Sequence, residues 1–567
     1  MTIEDLSTST ASTLFSAELV VIGSGPAGIV TALEAAGRGI DVLLIESGTL
    51  RFSPSNQDLS AAAAWDPSRH APLPIAVRRQ IGGTSTIWGG RCVPFDPIDF
   101  EPRPFVDVPP WPVTYEEMVT HFQRACDWLV CGRAVFTSTL LPGAPASLVP
   151  GLMDGTVTTS TLERWSLPTD FGSTYFQQLS TSPRLRVLTG VTATRIVVPH
   201  ESMAAERVDA RTSAGGEVSL RAKAIVVACG GLESTRLLMS SPGPRGGQLG
   251  AESGHLGRWY MAHTEGVIAN LHFTTPPEST VFDYERDVDG VYVRRRFAFT
   301  KEFELEHDLP NIAGWIANPE LPDAAHGNGQ LSFVYLALRS PFGPLFAPDA
   351  QRLSLTGVDL PGTPYGRSVI SPVRTHLRNI ARHPLSTGRF MIGFGAKRLL
   401  AQGRKAPGFF VHNDRNVYPM QYHGEHLPNQ SSHVSLCREI DRLGRPMLNI
   451  DLRFSDADVD GVLRAHRYWD EYLRSSGVGR LDFLYDDLHD AVDRRLGGGF
   501  HQAGTTRMSL DPSDGVVDQN LAIHGVGNVF VASSSTFVTS GQANSTFMIV
   551  AFALRLVDHL INALPSR

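Results

Sequence analysis

Near the N-terminus stands the run Gly23-Ser24-Gly25-Pro26-Ala27-Gly28, which has the G-x-G-x-x-G spacing of a turn that lets a backbone approach a pyrophosphate. Phosphate charge at such a turn is met by the amides of the helix that follows. Glu46 lies eighteen residues beyond Gly28, near the separation at which an acidic side chain takes up a ribose hydroxyl. A carboxylate there favours a dinucleotide whose adenosine keeps a free 2′-hydroxyl. Glycines alone can also serve a tight turn with no ligand, and the motif does not choose between NAD and FAD.

For the turn to work it must join a buried strand to a helix. Residues 18–22 form a β-branched run that reads as a parallel strand, residues 29–38 are rich in Ala and Leu and read as a helix, and residues 41–45 read as a second strand. Together they make a βαβ unit. Residues 102–112 are Pro-rich, but Phe105, Val106, Val108 and Trp111 are interleaved, so an ordered loop is expected. Thr114-Tyr115-Glu116-Glu117 has the capping-box pattern and predicts a helix through about Leu129. Strands are predicted at 185–188, 193–198 and 224–228, the last running into Gly230-Gly231 and a helix over 233–239. Residues 265–490 alternate strand-like runs such as Val291-Tyr292-Val293 and Val434-Ser435-Leu436, followed by a helix opened by Ser455-Asp456-Ala457-Asp458.

A chain of 567 residues is longer than one hydrophobic core supports, so at least two domains are expected. Apolar residues at 42% and charged residues at 19% are ordinary for a folded chain. A net charge of −7 without a long Lys/Arg run argues against a nucleic-acid or anionic-membrane binder and for a small neutral substrate. The segment 1–16 is acidic and Ser/Thr-rich, unlike a secretory signal, which predicts a cytoplasmic protein. The most apolar stretch, 547–564, is interrupted by Arg555, Asp558 and His559 and is expected to be a buried helix, not a membrane span.

Other chemistry-bearing residues are read conservatively. Cys92, Cys126, Cys131, Cys229 and Cys437 contain no C-x-x-C pair and are expected to be reduced, mostly buried thiols. Arg294-Arg295-Arg296 is read as the solvated edge of a half-exposed strand, with an anion site as the alternative. His255 and His263, which bracket Leu256-Gly257-Arg258, are read as structural, with a place beside a bound cofactor as the alternative. His423 and His426 are i, i+3 neighbours with no Asp/Glu/Cys set around them, so no metal site is expected.

The end of the chain carries His501-Gln502-Ala503-Gly504-Thr505-Thr506-Arg507-Met508, then Gly515-Val516-Val517-Asp518, His524-Gly525-Val526, and Ser540-Gly541-Gln542-Ala543-Asn544-Ser545-Thr546 opening a helix. With the glycine turn and Glu46, the loop Gly82-Gly83-Thr84-Ser85-Thr86-Ile87-Trp88-Gly89-Gly90, Cys229-Gly230-Gly231 with Glu233, and Leu256-Gly257-Arg258, this ordered set resembles the glucose-methanol-choline (GMC) family of flavin oxidoreductases across nearly the full chain. Within that family the Ser85-Thr86-Ile87-Trp88 stretch, the helix start from Gly231 to Leu238 and Glu425-His426-Leu427-Pro428-Asn429 look like the bacterial sugar and glycoside oxidases related to pyranose oxidase.

The resemblance implies FAD as the dinucleotide and an α/β (α+β overall) fold: a Rossmann-like FAD-binding domain beside a substrate domain of mixed β-sheet plus helices, as in p-hydroxybenzoate hydroxylase. The expected division gives 15–100, 180–264 and 495–567 to the FAD-binding domain, and 101–179 with 265–494 to the substrate domain. It implies His501 as the base and Asn544 as its partner. A neutral imidazole can accept a hydroxyl proton at working pH, and an amide can hold the same oxygen without titrating. Cofactor contacts are expected from Gly23, Gly25, Pro26, Ala27, Gly28, Glu46, Gly83, Thr84, Trp88, Gly89, Gly90, Val191, Cys229, Gly230, Ser533, Asn544, Ser545 and Thr546. Trp88 and Phe500 would either pack the isoalloxazine or line the substrate pocket. The helix after Asn544 would aim its positive end at the flavin.

Several positions depart from the family. Ile87 falls where a subset of pyranose oxidases has the histidine joined covalently to flavin, so FAD is expected to be non-covalent. Ser533 replaces a common Asp, while Val538 and Ser545 replace common prolines. Gly89 stands where some of these oxidases have a threonine near flavin N5, which leaves the acceptor open between O2 and a quinone-type compound. The expected activity is oxidation of a sugar or glycoside hydroxyl to a carbonyl; the alternatives are a non-sugar alcohol such as an aglycone or aminocyclitol, and a hydroxynitrile-lyase-like reaction with no redox step.

Overall fold

The computed structural model describes residues 3–564 apart from 142, 146, 359–368 and 402; those residues of the expected terminal and substrate-domain segments lie outside the described set. Leu19, Val20 and Val21 are fully buried, so the first long strand, Thr13–Ile22, is apolar on both faces where it enters the core. That pattern suits a parallel strand covered on both sides. Gly23 turns the chain with φ +101°, and Pro26 opens the helix Pro26–Gly37 in its first turn, where a missing amide hydrogen costs nothing.

The parallel part of the main sheet runs in the order Leu185–Thr189, Val42–Glu46, Thr13–Ile22, Glu217–Val227, Val526–Val531. The sheet has nine strands in all. Three distant stretches of chain therefore meet side by side. The helix Thr546–Ala563 packs on Pro26–Gly37. By length and composition it could cross a membrane, yet Phe547, Val550, Ala551, Leu554 and Val557 are all buried in this core.

The second large sheet is antiparallel throughout, in the order Gly479–Phe483, His263–Phe273, Val417–Glu425, Ile312–Ile316, Phe297–Phe299, Val157–Thr158. Across its two longest strands His263 pairs with Glu425 and Glu265 with His423. Alternate residues share a face, so His263, Glu265 and His423 look out from one side of the sheet. Met420 and Tyr422 point the other way, into the core shared with the helix Asp456–Ser475. Ser455 and Asp458 make both bonds of the predicted capping box at that helix's start. Between Ile312–Ile316 and Val417–Glu425 lies a helical insert, which includes Gly329–Arg339 and Asp349–Leu355.

The predicted helix over 114–129 is two helices, Tyr115–Val119 and Phe122–Leu129. Thr114 caps the first as expected, accepting from the Glu117 amide. The break follows because the Thr120 hydroxyl bonds back to the Glu117 carbonyl at 2.7 Å, competing with the helix ladder. The strands predicted at 291–293 and 434–436 are longer or shifted, at Tyr292–Arg295 and His433–Ile440.

Candidate active site

At the carboxyl ends of the parallel strands, where ligands of open α/β sheets bind, a cavity of ≈220 Å³ opens. Gly23, Gly25, Pro26, Ala27, Glu46, Gly83, Thr84, Trp88, Val191, Cys229, Gly230, Ser533, Ser545 and Thr546 line it, all among the residues expected to hold the cofactor. The three glycines of the turn play different parts. A Cβ on Gly28 would sit 1.8 Å from the Gly23 carbonyl oxygen, so Gly28 closes the turn and does not line the cavity. A Cβ on Gly25 would meet nothing within 4 Å; it would project into space left for a ligand. Glu46 accepts from the Ser24 amide at 2.9 Å and hydroxyl at 2.7 Å and from the Gly48 amide. Buried hydroxyls of Thr192 and Ser545 at the cavity wall find no protein partner, as expected of groups that meet a bound polar molecule. On the wall, Glu233 takes Arg79, Arg236 and Arg445, whose charges outweigh the penalty of its burial and hold it well below the usual carboxylate range.

A second cavity of ≈330 Å³ adjoins the first, and Ala76, Thr84, Trp88, Phe500, His501 and Thr546 line both. Gly89, Gly90 and Asn544 face this second space. His501 sits on a loop stitched to the beginning of the His263–Phe273 strand, with Met261 and Ala503 exchanging backbone bonds at 3.0 and 3.1 Å. Asn544 stands in the turn just before Thr546–Ala563. Its Nδ2 is 2.8 Å from His501 Nε2, and its Oδ1 accepts from Arg91 Nη1 at 2.6 Å. His501 Nδ1 is 3.0 Å from His263 Nδ1.

Burial, with the Arg91 charge adding, pushes the His501 imidazole down to about 4, so it is neutral at working pH. Burial and its histidine and arginine neighbours push His263 and His423 well below the ordinary range too. Glu265 is pushed up to about 8 by burial, against the pull of Arg91. Arg91 is fixed from its other side by Glu163 at 2.5 Å, which Arg294 shares, and both guanidinium groups lie over the Trp315 ring at 4.7 and 4.1 Å. A neutral imidazole, an amide and a largely buried cation thus converge on one small cavity next to the glycine-turn cleft, an arrangement suited to removing a hydroxyl proton.

One reading from the sequence needs correction, and two histidines gain contacts that it did not foresee. His263 touches His501. His423 likewise joins the site: it stacks on His263 with centroids 4.3 Å apart, and ligand atoms of His263, His423 and His501 all lie within 4.8 Å of one another. The trio has a composition that could hold a cation, but four of its ring nitrogens already bond within the protein, His423 Nδ1 to the Gln542 carbonyl and both His501 nitrogens to Asn544 and to His263 Nδ1, while His263 Nε2 is buried without a partner. Arg294-Arg295-Arg296 is no solvated edge; Arg295 and Arg296 are buried, and the three pair with Glu163, Glu285 and Asp96. Arg91, Glu163 and Glu265 were missed altogether. Arg91 directly follows the loop Gly82–Gly90, a position that could have drawn notice. Glu265 could not, because only the strand register brings it opposite His423.

A family model described as GMC oxidoreductase, for the N-terminal part of that family, matches residues 163–264, its C-terminal counterpart matches 428–553, and an FAD binding domain model matches 18–71. The fructose dehydrogenase large subunit of Gluconobacter japonicus is 42% identical over 66 residues, 12% of either chain. Paromamine 6′-oxidase of Streptomyces fradiae is 26% identical over 314 residues, 47% of this chain and 57% of that one. These matches span less than two thirds of the relatives' own length. The crystal structure of pyridoxine 4-oxidase from Mesorbium loti shares the fold at a TM-score of 0.53 and 17% identity, covering 96% of this chain and 99% of that one. Together with the glycine turn and its cavity, these matches mean that the chain carries an FAD-binding domain and belongs to the GMC oxidoreductase family.

Proposed function

We propose that the protein oxidises a hydroxyl of a sugar or glycoside to a carbonyl, with His501 as the base. The observation that carries this reading is the contact of His501 with Asn544 at the seam between the two cavities. Bound FAD supplies the hydride acceptor, held without a covalent bond because Ile87 offers no nucleophile. The substrate hydroxyl donates to His501 Nε2 and accepts from the Asn544 amide, so the proton leaves toward the imidazole while the amide holds the oxygen that becomes the carbonyl. Two relatives named for oxidising fructose and paromamine support a polyhydroxylated substrate. The reoxidant is O2 or a quinone-type acceptor.

His501→Ala is expected to fold with its full flavin content and to slow anaerobic flavin reduction by the cognate alcohol about 10²–10⁴-fold. The substrate is found first by mixing the wild-type protein anaerobically with a panel of sugars and glycosides and watching the flavin absorbance bleach. Reduction of the variant at a near-normal rate would sink the assignment.

A further inference from the structure

Arg91 and His263 belong to no expected site, yet they stand at opposite ends of a hydrogen-bonded chain through Asn544 and His501. The chemistry of each member restricts the next. A guanidinium only donates and does not lose its proton in proteins. The Asn544 atom facing Arg91 must therefore be the carbonyl oxygen, which turns the amide nitrogen toward His501 Nε2. An amide nitrogen also only donates, so His501 Nε2 must carry a lone pair. A neutral imidazole has one N–H, which is then on Nδ1, pointing at His263 Nδ1. His263 must accept there and keep its own proton on Nε2, a buried atom without a hydrogen-bond partner in the protein.

We propose that Arg91, acting through Asn544, and His263, acting at the far nitrogen, fix His501 in the one neutral form that can take a proton at Nε2. Arg91 and His263 are positioning residues in this scheme, and the scheme rests on the reading of His501 as the base. Were the amide turned over, its oxygen would call for a proton on His501 Nε2, and the nitrogen that faces Asn544 could accept nothing. Arg91 forbids that arrangement. It is itself held by Glu163 and by the Trp315 face, so it can neither rotate away nor follow the amide. Once Nε2 has taken the hydroxyl proton, the Nδ1–H bond to His263 remains in place, so the ring needs no reorientation during the transfer.

The decisive comparison is between two variants of one position. Asn544→Asp keeps the shape but offers only acceptors, and beside Arg91 it forces a proton onto His501 Nε2; Asn544→Ala imposes no form. Asn544→Asp is expected to reduce its flavin at least about tenfold more slowly than Asn544→Ala, the reverse of what a purely structural role predicts for the better isostere. Arg91→Lys, still donor-only, should stay within about tenfold of wild type, and His263→Asn, whose carbonyl can accept, should outperform His263→Leu. A direct readout is the ring-nitrogen NMR correlation pattern of 15N-histidine-labelled holoenzyme, with His501 signals assigned by their loss in His501→Gln. Wild type should show the Nδ1–H form, and Asn544→Asp should lose it. An Nε2–H form in wild type, an Asn544→Asp rate at or above that of Asn544→Ala, or a His263→Leu rate equal to wild type overturns the proposal. Normal reduction by His501→Ala would instead remove the base assignment itself, so the two failures are distinguishable.

Discussion

With its imidazole held down to about 4 by burial and the nearby Arg91, His501 stays in its proton-accepting form far into acid. Flavin reduction by substrate, followed by anaerobic stopped-flow, is therefore expected to be flat from neutral pH to about 5 and to fall only as pH approaches 4. A limb centred near the ordinary histidine value of 6.5 would show that the base is solvated during turnover. At this scale the glycine turn and Glu46 could be named from their own spacing, whereas His501 and Asn544 were named only through the family resemblance of the C-terminal block, since their partners lie 43 and 238 residues from His501. His263, Glu265 and His423 could not, because their chemistry depends on the register His263↔Glu425 and Glu265↔His423, set by sheet pairing between segments about 160 residues apart. Arg294 misled for a related reason: its partner Glu163 comes from another strand, so a basic run looked solvated until the pairing was known.

The glycine turn shows how one element divides two duties. Gly28 is packed against the Gly23 carbonyl, whereas Gly25 faces open space. Gly28→Ala should therefore lower the melting temperature of the flavin-free protein, because the added methyl needs the turn itself to shift. Gly25→Ala should leave that melting temperature unchanged and weaken FAD binding, read as flavin lost on gel filtration. Equal effects of both substitutions on the flavin-free protein would contradict this division. Element ends were less legible than element types. The Thr114 cap was readable, but the split at Thr120 depends on a hydroxyl turning back to its own helix, which periodicity does not reveal.

Across the whole molecule, buried titratable groups pull stability in opposite directions. His70, His263, His423, His426, His466 and His501 are all pushed below their ordinary value of 6.5, mainly by burial. In the unfolded chain each binds a proton as pH falls below 6.5, while the folded protein does not, so folding is favoured above that pH and weakens in acid. Asp99, Glu265 and Glu304 are pushed up by burial and act with the opposite sign, being protonated when folded and ionised when unfolded. With His121, His255, His326, His376 and His524 lowered too and Asp283 also raised, the histidines outnumber the carboxyls and outweigh them between pH 6.5 and 5. The melting temperature is therefore expected to drop steadily across that window, and a flat or rising profile on acidification would mean the histidines are charged in the native state.

The short helix Asp349–Leu355 sends Ala350, Gln351 and Ser354 into the wall of the second cavity, while every residue of the proton-handling chain comes from elsewhere in the fold. Gln351 stands 3.3 Å from where a side chain on Gly89 would begin. This insert thus closes one side of the cavity without supplying any residue of the chain from Arg91 to His263. Redrafting this one insert would reshape that wall and leave the hydrogen-bonded chain behind it in place.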